Sequence, residues 1–181
     1  MEEPPVSRFP MLMTSRLVLR PIWGIDLAAL FALRSDARVN RYLDRPLAQN
    51  EGDVKEFMIN IRQGQERGEH LYWVITSLEE ATLLGAIGLW NFSDDRREAE
   101  LGFELLPDFQ GQGIMAEALQ MILHFAFSVV ALETVNAFTH PDNAASIRSL
   151  EKQGFVSMSE QAAAAEGMLQ FRLKKSDLLP V

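Results

Sequence analysis

The sequence predicts one mixed α/β (α+β) domain. Its 181 residues suffice for a single well-buried core and are too few for two independent ones. A hydrophobic fraction of 48% with a charged fraction of 23% is that of an ordinary globular chain. The apolar periodicity changes along the chain. Short alternating or wholly apolar runs come first, one strand–loop–helix–strand unit follows, and a helix with a pair of strands ends it. That order predicts a mixed, mostly antiparallel twisted sheet of six to seven strands with flanking helices.

The elements are read in order. Residues 1–13, rich in Pro, read as a flexible arm, and residues 14–181 as the domain. Residues 16–20 alternate as a strand does, and Asp26 is placed to cap a helix with Leu27, Leu30 and Phe31 on its apolar face. Val54, Phe57, Met58 and Ile61 recur at helical spacing. Residues 71–76 and 84–92 read as strands, the second apolar at nearly every position as when both faces are covered. Residues 98–106 alternate: Leu101, Phe103 and Leu105 share one face, while Glu98, Glu100, Gly102 and Glu104 share the other. After the loop at 110–113, Met115, Ala118, Leu119, Ile122 and Ala126 form a helical stripe. A strand at 133–139, a helix at 142–153 closed by Gly154, and strands at 155–158 and 168–173 complete the set. The four alanines at 162–165 are the only low-complexity stretch.

Composition narrows the classes of function. The formal charge of −8 opposes nonspecific binding to nucleic acid and favours a cationic partner, although solubility alone also accounts for it. Cysteine is absent, which excludes a thiol nucleophile, a disulfide framework and a Cys-based metal site. His70 and His124 have no companion ligands in the sequence, so no metal site is expected. No apolar run reaches the roughly 18 residues of a membrane span, and the acidic start, Met1-Glu2-Glu3-Pro4-Pro5, lacks the basic and apolar regions of a signal peptide. A cytoplasmic protein is expected.

The segment Gln110-Gly111-Gln112-Gly113-Ile114-Met115-Ala116 follows a strand and opens a helix. Glycines at 111 and 113 allow a tight turn and close backbone approach to a ligand. The free N–H groups of the first helical turn, with the helix dipole behind them, attract phosphate. No acidic residue lies between 109 and 116 to oppose that. A plain turn and helix start is the bland account of the same residues. The spacing Gly111-x-Gly113-x-x-Ala116 also fits a dinucleotide-binding turn, but four residues separate the strand from Gly111 and too little chain follows for a second βαβ half. Glu133 stands downstream where a ribose ligand would, yet it begins a strand.

These residues resemble the acetyl-CoA loop of the GNAT acetyltransferases. The resemblance extends to His140-Pro141-Asp142-Asn143-Ala144-Ala145-Ser146 and on through Leu150-Glu151-Lys152-Gln153-Gly154-Phe155, which is similar to the family's N-x-x-S…E-K-x-G-F signature. Thr14-Ser15-Arg16-Leu17-Val18-Leu19-Arg20, Leu84-Gly85-Ala86-Ile87-Gly88 and Glu100-Leu101-Gly102-Phe103 match too, so it spans roughly residues 14–175. The branch it most resembles holds the ribosomal-protein N-terminal (alanine/serine) acetyltransferases. Two departures stand out. Met115 occupies a loop position that usually holds Gly or Ala, and Leu150 stands where many relatives carry a tyrosine as acid for the departing thiolate. Tyrosine acid catalysis from that position is excluded.

The resemblance implies a bacterial N-acetyltransferase of GNAT fold, with acetyl-CoA as cosubstrate and no metal. It implies a crevice where a bulge splays one strand from its neighbour. There the backbone of Phe103, Glu104 and Leu105 would bond the pantetheine arm, and the loop from Gln110 and Gly111 through Gln112, Gly113, Ile114, Met115 and Ala116 would hold the pyrophosphate. Asn143 would contact the pantetheine or acetyl region, with a helix N-cap as its other use. Ser146, one turn on, would face the sulfur. Amine acetylation is mainly positioning plus removal of a proton. Glu100 is the first choice as general base, because it shares a strand face with Gly102 beside the loop, and Glu104 is the second. His140 could contribute, though a His-Pro turn accounts for it. The acceptor expected is the α-amine of a protein N-terminus, such as a basic ribosomal protein. A small amine (a polyamine, an aminoglycoside or an amino acid) is the alternative, as is an acyl-CoA-binding domain without catalysis. The active form would be a monomer or a homodimer.

Overall fold

A computed structural model describes residues 9–158 and 167–178. Among the described residues eight strands form one sheet: β1 (Leu12–Met13), β2 (Leu17–Arg20), β3 (Leu71–Ser77), β4 (Leu83–Trp90), β5 (Glu98–Leu105), β6 (Thr134–Thr139), β7 (Val156–Ser157) and β8 (Leu169–Lys174). Their order is β1-β2-β3-β4-β5-β6-β8-β7. Neighbours are antiparallel except β5 and β6, which run parallel. A parallel pair needs a crossover, and helix α4 (Ile114–Ser128) supplies it. The other helices are α1 (Leu27–Ser35), α2 (Ala37–Asn40), α3 (Glu51–Glu66) and α5 (Ala144–Lys152).

Alternation along each strand divides the core into two layers. Trp73 and Ile75 of β3, Ile87 and Leu89 of β4 and Leu101 and Leu105 of β5 pack with Ala118, Leu119, Ile122 and Ala126 of α4. On the other face, Tyr72, Val74 and Ala86 pack with Leu30 and Leu33 of α1 and Val54 of α3. Strands β3 and β4 are covered on both sides, which is why the sequence from 83 to 89 is apolar or glycine throughout. Strand β4 ends at Trp90, short of the expected residue 92, because Asn91 turns to a φ of 48°.

Three sequence expectations change. The sheet gains an eighth strand inside the stretch read as an arm: Leu12 pairs with Leu19, the Trp73 indole N–H donates to Pro10 O at 2.8 Å, and the Phe9 ring lies 4.8 Å from that of Trp73. The chain is therefore anchored from Phe9 onward, while residues 1–8 and the alanines at 162–165 lie outside the described residues. Asp26 makes no side-chain cap to α1. Its carboxylate takes both Arg20 guanidinium nitrogens, at 2.7 and 2.8 Å, and the Trp23 N–H at 2.8 Å. Arg20 and Asp26 are 2% and 3% exposed, and a buried guanidinium requires a counter-charge more than a helix requires a cap. The short helix α2 was not read at all. It is capped by Asp36, which accepts from the backbone of Arg38 and Val39.

Candidate active site

Strands β5 and β6 pair from Glu98 opposite Thr134 to Leu101 opposite Ala137, and then part. Residues 102–105 continue β5 against β4 alone. The β4–β5 register runs unbroken from Gly85 opposite Leu105 to Trp90 opposite Glu100, so the strands separate without the bulge expected near 103–105. The wedge between them is a crevice of about 770 Å³, bounded by β5, β6, the loop before α4, α5 and the α1–α2 region.

At one end stands the loop. Gly111 and Gly113 both take left-handed φ, +75° and +77°. A Cβ on Gly113 would meet nothing nearer than Arg16 Nη2 at 3.6 Å, so glycine is required there by the backbone angle. Gly113 is the N-cap of α4 and brings no capping side chain, which leaves the first-turn amides of Ile114, Met115 and Ala116 without a side-chain acceptor. Gln110 Nε2 donates to Leu105 O at 3.1 Å and Gln112 Nε2 to Asp108 O at 2.8 Å, fixing the loop from within. Below it, Glu117 binds Thr14 and the Arg16 guanidinium, the latter at 2.6 Å, and Arg16 Nη1 reaches Gln112 O at 3.4 Å. The first-turn amides and the helix dipole thus converge on a loop whose two glycines carry no side chain, with the Arg16–Glu117 ion pair as its footing, which suits a pyrophosphate.

The opposite wall is the start of α5. Asn143 is its N-cap, with Oδ1 accepting from Ser146 N at 3.1 Å. Ser146 is half-buried and lines the crevice together with Ala145 and Ser149. Leu150, at the position of the missing tyrosine, is fully buried in the core. His140 Nδ1 accepts from Asp142 N at 3.1 Å, and its ring stacks on Tyr42 with centroids 5.3 Å apart.

The far half of the crevice is built on the β5 face that the alternation foretold. Glu100, Gly102 and Glu104 lie there, opposite Trp90, Gly88 and Ala86 of β4. Gly88 and Gly102 are side by side, and the Trp90 ring lies over them: a Cβ on Gly102 would come within 2.0 Å of that ring. Glu100 is half-buried and its Oε2 accepts from Asn91 Nδ2 at 2.8 Å. Glu104 is ion-paired with Arg45, whose Nε in turn donates to Asn40 Oδ1 at 2.6 Å. The two carboxylates the sequence proposed as bases therefore differ, since one is neutralised by a guanidinium and the other is held by a neutral amide. Glu98 is exposed and bonded to Asn136.

Arg34, Arg38 and Arg45 line the crevice alongside Asp44, Glu100 and Glu104, so the acidity read from the β5 face is largely balanced. Sequence reasoning missed these arginines, and with them Tyr42, Tyr72 and Trp90. One signal was present: glycines inside strands mark close approach of another group, and both Gly88 and Gly102 do so here. His70 is placed by packing, with its ring where a Cβ on Gly64 would go and Nε2 3.0 Å from Ile61 O. His124 is exposed on α4. Among the described residues no group of three or more His, Cys, Asp or Glu could hold a metal, and no helix is long and apolar enough to cross a membrane.

Comparison with known proteins agrees with this geometry. The acetyltransferase (GNAT) domain family matches residues 16–156. The uncharacterized N-acetyltransferase YoaA of Bacillus subtilis (strain 168) is 32% identical over 152 residues, covering 81% of this chain and 83% of that protein. The structure of RimL, a ribosomal L7/L12 α-N-protein acetyltransferase in complex with coenzyme A, is similar with a TM-score of 0.78 at 20% identity, covering 91% of this chain and 98% of that one. The spermidine N-acetyltransferase of Vibrio cholerae, in complex with coenzyme A and spermine, gives 0.77 at 18% identity with the same coverage, 91% and 98%. Those two carry unlike acceptor names on one fold, so the likeness does not choose an acceptor. The chain belongs to the GNAT acetyltransferase family and is an N-acetyltransferase.

Proposed function

We propose that this enzyme acetylates the α-amine of a peptide or protein N-terminus, such as that of a ribosomal protein, using Glu100 as general base. The observation that carries the choice of base is the contrast on β5: Glu104 is neutralised by Arg45, while Glu100 is held by the uncharged Asn91. Acetyl-CoA supplies the acyl group as a thioester. In this reading the amides from Gln112 to Ala116 hold its pyrophosphate, and the backbone of residues 103–105, which lacks β6 as a partner, bonds the pantetheine amides. Asn143 orders the start of α5 so that the Ser146 hydroxyl faces the sulfur. As the C–N bond forms, Glu100 takes the proton that the amine nitrogen sheds. As the C–S bond breaks, Ser146 donates a hydrogen bond to the departing sulfur.

An α-amine suits a single carboxylate base, because its pKa of about 7.7–8.0 leaves a useful neutral fraction near pH 7, unlike a lysine at about 10.4. The test is Glu100→Gln. kcat/KM for a peptide acceptor should fall by about 10²–10⁴, most at pH below the amine pKa, with partial recovery as pH rises. A near-normal Glu100→Gln enzyme beside an inactive Glu104→Gln enzyme would assign the wrong carboxylate. Competition of N-terminal peptides against small amines tests the acceptor, and a small amine with the higher kcat/KM removes the protein reading.

A further inference from the structure

Two hydrogen-bond donors in the acceptor half are left over by the transfer described above. Tyr72 of β3 is 7% exposed and lines the crevice, and among the described residues its buried hydroxyl has no partner. A buried hydroxyl is normally satisfied, so one left unpartnered in the wall of a cavity marks a place that a ligand atom can complete. Arg34 of α1 lines the same space and makes no ion pair among the described residues. Its guanidinium lies 3.8 Å over the Phe57 ring, and the same ring packs edge-on against Tyr72 at 5.6 Å. One phenylalanine thus packs against both residues. Glu104, whose charge acts on both, is engaged by Arg45.

Their electrostatics agree. Burial, and then the charge of Arg45, push the Arg34 pKa below its ordinary value, a strain that an anion beside it would relieve. Burial, reinforced by Glu104, pushes the Tyr72 phenol far above its ordinary value, so it stays protonated and able to donate. The cosubstrate's phosphates do not answer this demand, because the cradle at Gly113 belongs to α4, which packs on the opposite face of the sheet from α1 and Tyr72. Tyr72 pairs with Gly88, and Gly88 with Gly102, two residues from Glu100 on the same face. Tyr72 and Glu100 therefore share one face of the sheet, on either side of the glycine pair that the Trp90 ring covers.

We propose that Arg34 and Tyr72 bind a carboxylate carried by the acceptor itself, so that the preferred substrate is an amine with a carboxylate close by. This rests on the reading of Glu100 as base and narrows its acceptor. The carboxylate belongs either to a free acidic amino acid or to an Asp or Glu among the first residues of a peptide. In both cases Arg34 and Tyr72 are positioning residues, acting on KM for the acceptor.

The experiment compares matched acceptors with the intact enzyme: peptides beginning with Asp or Glu against Asn or Gln, and free aspartate against asparagine. The acidic member should be preferred. Arg34→Gln and the isosteric Tyr72→Phe should each lower the acid-to-amide ratio of kcat/KM by roughly 10- to 100-fold, through KM, since a hydrogen bond to a charged group contributes that much. Tyr72→Phe should keep its melting temperature, which separates the effect from misfolding. In parallel, aspartate with coenzyme A present should raise the melting temperature of the wild type more than that of Tyr72→Phe. Equal use of acid and amide acceptors by the wild type, no aspartate-dependent shift, or a raised acetyl-CoA KM in Arg34→Gln would overturn the proposal. Preference for free aspartate over every peptide would uphold it and remove the protein acceptor instead.

Discussion

Replacing Gly113 with alanine separates two demands that meet at one residue. Its φ of +77° lies where a Cβ is disfavoured by about 1–2 kcal/mol, and no neighbour within 3.6 Å adds a clash. In a domain of this size about 2–4 °C accompanies each kcal/mol, so free Gly113→Ala should melt about 2–8 °C lower. Gly154 sits at +88° after α5, away from the crevice lining, and a Cβ there meets only Leu173 Cδ1 at 3.7 Å. Gly154→Ala should therefore lose the same amount. Ligand separates the two variants. At 100 times Kd, acetyl-CoA stabilises the wild type by about 2.7 kcal/mol, or roughly 8 °C. Losing one charge-assisted bond from the cradle would weaken binding by about 10- to 150-fold. At the same concentration the stabilisation then shrinks to about 0.3–1.4 kcal/mol, or roughly 1–4 °C. Differential scanning fluorimetry with and without acetyl-CoA reads both quantities. A full ligand shift in Gly113→Ala removes the loop as the pyrophosphate cradle, and an equally reduced ligand shift in Gly154→Ala would trace the effect to general destabilisation.

Asp26→Asn leaves the Arg20 guanidinium, 2% exposed, without its counter-charge, and should lower the unfolding free energy by about 3–5 kcal/mol in urea titrations; a loss below about 1 kcal/mol would mean that water reaches Arg20. Glu117 is a pH probe of the loop's footing. Burial raises its carboxyl pKa, but the hydrogen bonds from Thr14 and Arg16 outweigh that and hold it below the ordinary 4.5. A depressed folded value means that its contribution is present above pH 4.5 and is lost as pH falls through the lower folded value. The stability gap between wild type and Glu117→Gln, roughly 1 kcal/mol given the half-exposed Arg16, should thus be flat at neutral pH and close in acid; a gap that widens in acid contradicts the assignment. Gly102→Ala drives a methyl into the Trp90 ring, and should cost about 1–3 kcal/mol of stability while raising the acceptor KM. An unmoved acceptor KM would take Trp90 out of the acceptor floor.

The parts of the site that were legible in the sequence are those fixed by neighbours a few residues away. The two faces of β5, the glycines at 111 and 113 opening α4, and Asn143 capping α5 each follow from local periodicity or capping, and each stands where its pattern puts it. The acceptor half is made of long-range pairs. Arg45 meets Glu104 across 59 residues, and Arg34 meets Phe57 only because α1 and α3 lie against each other. No periodicity specifies which arginine of a polar helix face turns inward. Asp26 failed for a different reason: the pattern of a cap and that of a buried counter-ion are locally identical, and what distinguishes them is Arg20, six residues back and buried by the sheet.

Strand β5 explains why the two halves of the site belong together. Its odd positions, Ala99, Leu101 and Leu105, lock it to the α4 core, and its pairing with β6 ends at Leu101 while β6 continues against β8. Its backbone from 102 to 105 is consequently an interior edge without a ladder partner in β6, and buried N–H and C=O groups require one. A linear ligand with amides at strand spacing can supply those bonds, which makes the splay a binding feature even though no bulge creates it. The even positions meanwhile face the other side, where glycine at 102 leaves room for the Trp90 ring beside Glu100. On the proposed reading, donor site and acceptor site are the edge and the face of one strand, and a substitution that shifts its backbone should alter both KM values together, whereas Arg34 and Tyr72 should alter only the acceptor's.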